Sequence, residues 1–410
     1  MLNLRPVLYI LGIVLFVMAA LMLLPAYADA YSSHDDYHAF LLSSAFTFFV
    51  SGTLILANKQ DKIVLNLRQA FLLVPVAWVT VPAFSALPLY YAEVDLRYAQ
   101  AYFEAVSGLT TTGATAIIGL DHAPPGILLW RGLLQWVGGL GIISMGILIL
   151  PMLGIGGMQF FKGDTGESSE KILPRVTQVG YAIASVYFLL SLACAILFWF
   201  FGMTAFDAIC HSMGTVATSG LSNYDASFGH YNSPEIEAVA ILFMFAGGVP
   251  FLAYYKASTQ GISTFLKDSQ IRWFFYILVS AVLTITAWLW MVQPQRPELY
   301  VDGEFSVLQA LRHTAFNLTS LMTTTGFTTT DYGLWGSFVI VIFLICTFIG
   351  GCTGSSAGGL KVFRVQVLYE VAKAQMNRLI NPHGVFKAQY NHKNMPDSVV
   401  GSVLGFSFLF

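Results

Sequence analysis

Apolar runs long enough to cross a bilayer alternate along this chain with shorter segments of mixed polarity. The runs cover about 6–26, 38–57, 70–91, 126–152, 180–202, 235–256, 273–293 and 336–372, and another begins near Asp397. A span needs about 20 mostly apolar residues, and each run reaches or approaches that length. Three mixed segments, about 97–111, 204–218 and 306–324, are too short and too polar to cross. They read as re-entrant pore helices, because irregular backbone at membrane depth is tolerated only where it is buried or lines a water-filled cavity. The run at 336–372 is too long for one crossing and is interrupted by the glycine- and serine-rich stretch 350–359.

Each short segment ends in a hydroxyl-rich loop with a single central glycine. The loops are Thr110-Thr111-Thr112-Gly113-Ala114-Thr115, Ala217-Thr218-Ser219-Gly220-Leu221-Ser222 and Thr323-Thr324-Thr325-Gly326-Phe327-Thr328. The glycines are separated by 220 − 113 = 107 and 326 − 220 = 106 residues, so the unit span–pore helix–loop–span is repeated. A glycine pair follows each loop: Gly138-Gly139, Gly247-Gly248 and Gly350-Gly351. Such pairs let inner helices approach closely or bend. The reading is an all-α polytopic membrane protein with repeated units around a pore. Residues 1–58 form two extra N-terminal helices; 70–160, 180–260 and 272–380 are pore repeats, the third with a broken inner helix; 396–410 begins a fourth. Adding about 107 to 326 places a fourth loop glycine near 433, past the last residue, and the expectation is a final repeat missing from this sequence.

Composition agrees: 56 % of residues are hydrophobic and only 10 % charged, with a mean hydropathy of +0.68. A net charge of −2 gives no reason to expect nucleic acid. Residues 26–30 resemble a signal-peptide cleavage site, but the run before them is long enough to span, and spanning is the preferred reading. Of the 20 Lys and Arg, all but Arg97, Arg131, Arg296 and Arg312 fall on one side of the spans, which makes that side, and the N-terminus, cytoplasmic. The loops then open outward. Asp29, Asp35, Asp36, Asp121, Asp225, Glu298, Asp302 and Asp331 fall outside and can form a face that concentrates cations. Cys194, Cys210, Cys346 and Cys352 lie in apolar segments, so no disulfides are expected.

The loops carry the chemistry. A cation crossing a membrane exchanges its hydration shell for protein oxygens. Glycine admits the φ values that turn carbonyls toward one axis, and threonine adds a hydroxyl on a stiff stem. Thr111, Thr112, Gly113, Thr218, Ser219, Gly220, Thr324, Thr325 and Gly326 are the candidate filter. No carboxylate lies within the loops, which favours monovalent cations. Nine residues before each glycine stands a polar residue, Glu104, His211 and Asn317, in a shared register that suggests bracing of the filter from behind. In the broken span, Gly350, Gly351, Thr353, Gly354, Ser355, Ser356, Gly358 and Gly359 are the candidate gate, with a static kink as the alternative. Lys361 and Arg364 read as markers of the cytoplasmic boundary. His211, His313 and Cys210 form no metal spacing, triad or HExxH motif, so an enzyme is not expected. No span carries the evenly spaced arginines of a voltage sensor.

At these loops, at Phe206-Asp207-Ala208-Ile209 and at Gly350–Lys361, the chain resembles the Trk/Ktr/HKT superfamily of potassium transporters, most of all its bacterial Trk branch. The resemblance implies four repeats around a pore, two such subunits in a dimer, and an intramembrane gating loop. It implies K+ as the transported ion, the bacterial inner membrane as the location, and no cofactor in this chain. Gly113 stands where a serine in plant relatives is associated with sodium. A cytosolic nucleotide-binding ring, TrkA-like, is the implied partner, since this sequence has no βαβ unit of its own. Coupled symport with protons or sodium is the alternative mechanism, with Glu104 and Asp207 as candidate relay acids.

Overall fold

The computed structural model describes residues 3–60, 65–144, 172–292, 300–301, 304–391 and 393–410. The inner end of the fourth span, 145–152, and Lys62, Lys162, Lys171, Arg296, Glu298 and Asp302 lie outside the described residues. The chain divides into two compact units, residues 1–138 with 220–227, and 139–219 with 228–410.

The first unit is built from α1 (Arg5–Leu21), α2 (Leu23–Tyr31), α3 (Tyr37–Asn58), α4 (Leu67–Tyr91), α5 (Tyr98–Leu109) and α6 (Pro125–Ser144), whose residues beyond Gly138 belong to the second unit. Helices α1 and α2 run on as one apolar span, Arg5–Tyr31, which continues five residues past the end of the hydrophobic run at 26. They pair with α3, where Gly12 brings the backbones close against Ile55 and the Ser44 hydroxyl donates to Ala19 O (2.8 Å). Leu42, Phe49 and Leu56, seven residues apart, form an exposed stripe along α3. A stripe with that period on the outside of a helix suits lipid. Helix α4 starts in a reciprocal cap: Asn66 Oδ1 accepts from Gln69 N, and Gln69 Oε1 accepts from Asn66 N, both at 2.9 Å. It contains Pro75, Pro82 and Pro88. The start of α6 is pinned by Asp29, which accepts from Gly126 N (2.5 Å), and by Trp130, whose indole donates to Ser85 O (2.9 Å).

The second unit contains α7 (Ile172–Phe200), α8 (Ala205–Ala217), α9 (Pro234–Gly247), α10 (Phe251–Gln260), α11 (Ser263–Lys267), α12 (Ser269–Val292), α13 (Val307–Met322), α14 (Ser337–Ile349), α15 (Val362–Ile380) and α16 (Asp397–Leu409). Two-residue antiparallel hairpins form at Tyr300–Val301 with Glu304–Phe305 and at Gln389–Tyr390 with Lys393–Asn394. Thr204, Ser233 and Ser306 cap α8, α9 and α13, each accepting from the backbone N–H three residues on. The core gathers Phe274, Ile285, Leu318, Met322, Trp335 and Val339 between α12, α13 and α14.

One span departs from the sequence reading. The run 235–256 is not a single helix: α9 and α10 meet at 88°. Pro250 explains the break, because it offers no N–H and disfavours helical backbone at Val249. Among the described residues, six helices are long and apolar enough to cross a membrane, or seven if this bent pair is one span.

Candidate functional site

The short helices α5, α8 and α13 end in the same way. Thr112 N donates to Ser107 O (2.8 Å), Ser219 N to Gly214 O (3.0 Å) and Thr325 N to Ser320 O (2.7 Å). One residue earlier, Thr111, Thr218 and Thr324 donate three residues back. This is the Schellman ending, whose left-handed position is usually glycine. Here it is threonine each time, with φ of 53°, 51° and 57° at Thr111, Thr218 and Thr324. Two residues further on, Gly113, Gly220 and Gly326 have φ of 79°, 87° and 93°. The glycines do what the sequence suggests. The β-branched threonines are the surprise, since that conformation is sterically unfavourable for them. Hydroxyls pair across two of the turns, Thr110 with Thr112 (2.8 Å) and Thr323 with Thr325 (2.7 Å). In the second loop Ala217 replaces the first threonine, and the buried Ser219 hydroxyl has no hydrogen-bond partner.

Behind the first loop lies a buried ion pair. Glu104 Oε1 accepts from Arg131 Nε (2.8 Å) and from the Thr115 hydroxyl (3.0 Å), and Oε2 accepts from Ala116 N (2.7 Å). Arg131 also donates to Ser222 O (2.6 Å) and Thr115 Oγ1 (3.2 Å). Four residues along α6, Gln135 clamps Leu221, donating to its carbonyl and accepting from its N–H, both at 3.2 Å. In the second unit Asn317 accepts from Thr329 N (3.3 Å) and donates to Thr329 Oγ1 (2.9 Å). Ala116 and Thr329 each lie three residues after the loop glycine, so Glu104 and Asn317 hold equivalent N–H groups. His211 Nδ1 lies 2.9 Å from Asp207 O, and its ring packs among Phe228, Tyr231 and Phe327.

Sequence reasoning missed Arg131 and Gln135. Arg131 was placed on the side of the loops without a role, and it is 2 % exposed. The available signal was position: a charged residue and an amide four apart inside an apolar span mark an intramembrane polar site. The acidic face expected from the sequence is also only partial. Asp29 and Asp36 are buried, and Asp225 accepts from Gly119 N and Leu120 N, both at 3.1 Å.

The stretch 350–359 is a closed loop rather than an open break. Its neck is tied by Leu360 N to Phe348 O, Lys361 N to Ile349 O and Val362 N to Gly351 O, at 2.9–3.0 Å. At the neck Gly350 and Gly359 touch backbone to backbone, and a Cβ on either would collide with the other. The loop docks on the α9–α10 break. Cys352 N donates to Gly248 O (2.9 Å), Ser356 N to Gly247 O (3.3 Å), and Phe251 N to Gly354 O (3.0 Å). Thr353 N donates to Gln270 Oε1 (3.0 Å), and Ser355 Oγ to Cys352 O (2.6 Å). Two contacts reach the Thr/Gly loops: Gly358 N donates to Thr324 Oγ1 (2.6 Å), and Thr218 Oγ1 lies 3.1 Å from Ser356 Oγ. Lys361 is partly buried and Arg364 is buried. The Lys361 amine donates to Ala357 O within the loop, and Arg364 donates to Leu360 O (2.7 Å) and stacks on Phe406 (3.8 Å). Each binds a carbonyl left without a helical partner.

Among the described residues, no three His, Cys, Asp or Glu side chains gather to hold a metal ion. None of the four cysteines is in a disulfide, and all are buried. The polar groups that the three loops carry are backbone carbonyls, backbone N–H groups and the hydroxyls of threonine and serine.

The TrkH family of cation transport proteins matches residues 37–410. The chain belongs to the TrkH family. It is 35 % identical to the Trk system potassium uptake protein TrkI of Halomonas elongata, over 99 % of this chain and 80 % of that protein. It is 34 % identical to the Trk system potassium uptake protein TrkH of Salmonella typhimurium, over 98 % of this chain and 82 % of that protein. The crystal structure of the potassium transporter TrkH from Vibrio parahaemolyticus superposes with a TM-score of 0.89 at 33 % identity, covering 99 % of this chain and 83 % of that one. The all-α repeated architecture is thus a TrkH-family fold, and the chain is a membrane cation transport protein.

Proposed function

We propose that this TrkH-family protein takes up potassium across the bacterial inner membrane. The Thr/Ser-Gly loops act as its selectivity filter and the 350–359 loop as its gate. The observation that carries this reading is the repeated backbone of the loops. All three combine a left-handed threonine with a left-handed glycine at the end of a short helix. The helix end contributes partial negative charge. The Thr110–Thr112 and Thr323–Thr325 hydroxyls are already paired, so backbone carbonyls are the principal ion ligands. Naming of the relatives as potassium uptake proteins supports the choice of ion.

Gated conduction is favoured over symport with protons or sodium. A proton relay needs free acids, and Glu104 is bound by Arg131 while Asp207 accepts from the Thr204 hydroxyl (2.7 Å). The protein works as a homodimer, with its N-terminus cytoplasmic and a TrkA-like nucleotide-binding subunit on the cytosolic side. Flux of K+ and Na+ into proteoliposomes tests this, with Gly113→Ser alongside. Potassium preference that falls in the variant is the expected result. A sodium preference in the unmodified protein, or potassium entry only under an imposed proton gradient, overturns it.

A further inference from the structure

We propose that Thr218 and Thr324 are latch residues that hold the intramembrane loop shut and so couple its position to the adjoining filter loops. The inference rests on the filter-and-gate reading above and assigns these side chains a role other than ion coordination.

The left-handed end of a Schellman turn favours glycine, and threonine there is strained. Glycine would relieve that strain but would supply no hydroxyl. Both hydroxyls meet the tip of the loop. Thr324 Oγ1 accepts from Gly358 N at 2.6 Å. Thr218 Oγ1 shares its proton between Ala217 O (2.7 Å) and Ser356 Oγ (3.1 Å), and Ser356 Oγ in turn donates toward Val216 O and Gly247 O (3.1 Å each). Thr218 and Ser356 are both essentially buried, so neither hydroxyl can turn to water instead. The threonines therefore connect two things that would otherwise be separate. Their backbones set the first left-handed step of each filter loop, two residues before Gly220 and Gly326. Their side chains fix the residues that must move if the loop is to swing aside. The neck of the loop is closed by its own backbone bonds, which lets it move as one piece once the tip is released. A shift of the tip then pulls on the filter backbone, and a change in the filter weakens the hold on the tip.

The test uses the complete gene product in proteoliposomes, with Thr218→Val, Thr324→Val, Thr324→Ser and Ser356→Ala. Valine keeps the β-branched shape and removes the hydroxyl. Potassium flux is measured together with the potassium-to-sodium ratio and the rate at which a thiol reagent labels Cys352, a buried loop residue. Loss of one hydrogen bond shifts an equilibrium by about fivefold. Each valine variant is expected to raise both flux and Cys352 labelling by about that factor. Thr324→Ser, which keeps the hydroxyl that accepts from Gly358 N, is expected to label Cys352 at the rate of the unmodified protein. Ser356→Ala breaks the same contact from the loop side, so Thr218→Val combined with Ser356→Ala should add little to either alone. Unchanged labelling with an altered ion ratio would place the hydroxyls in the ion path and overturn the latch, as would full additivity of the pair. Labelling reads the loop without transport. Faster labelling in a protein that carries no potassium therefore sinks the transport reading and leaves the latch standing.

Discussion

Replacing Glu104 with leucine should damage the first repeat far more than loss of one surface charge would. The carboxylate is fully buried and accepts from Arg131, the Thr115 hydroxyl and Ala116 N. Its removal leaves the Arg131 guanidinium at 2 % exposure with only Ser222 O and Thr115 Oγ1 as partners. Removing one member of a buried pair costs about 3–5 kcal/mol, because the other charge is left uncompensated. The orphaned Ala116 N–H adds about 1 kcal/mol or more. The double variant Glu104→Leu/Arg131→Leu leaves no lone charge, so it should be less destabilised than the sum of the two single variants by about 2 kcal/mol or more. Unfolding titrations in detergent micelles measure the stabilities, and potassium-to-sodium flux ratios report on the segment that Glu104 holds. Single variants that each lose less than about 1 kcal/mol, or a double variant whose loss equals the sum, would refute the reasoning.

Gln135→Leu removes both bonds to Leu221 while keeping the size of the side chain. It should lower the potassium preference by about fivefold or more, taking one net hydrogen bond as the minimum loss, and a flux ratio equal to that of the unmodified protein would count against the clamp. Gly359→Ala introduces a Cβ where φ is 82° and where Gly350 leaves no space. The neck of the loop should open, raising thiol labelling of Cys352, and unchanged labelling would show that the neck tolerates a side chain.

Hydrophobic runs made the helices legible because lipid demands length and apolarity, and the period of about 107 made the repeats legible. The glycines of the three loops announced their left-handed backbone, since few other residues accept it. Thr111, Thr218 and Thr324 gave no such sign, because their conformation is enforced by the helix ending rather than by their own preference. The break after Gly247 was half legible: the glycine pair admits a bend, and Pro250 turns it into a break. The burial of Arg131 was not legible because counting charges along a sequence assigns them to the ends of spans. Its charge is received by Glu104, 27 positions earlier. The docking of the 350–359 loop on the α9–α10 break was not legible, since its partners there, Gly247 O, Gly248 O and Phe251 N, are backbone atoms, which every residue carries.

The two broken inner helices leave the second unit with an order of assembly. At the α9–α10 break the carbonyls of Gly247 and Gly248 and the N–H of Phe251 have no helical partner. They find Ser356, Cys352 and Gly354, about one hundred positions later in the chain. Until the third repeat has entered the membrane, the second carries polar backbone that lipid cannot satisfy. The second repeat alone is thus an unfinished object, and its bend becomes a stable shape only when the third arrives. A stalled or shortened chain ending before residue 350 should therefore be recognised by membrane quality control as misfolded, even though every one of its apolar segments is already in place.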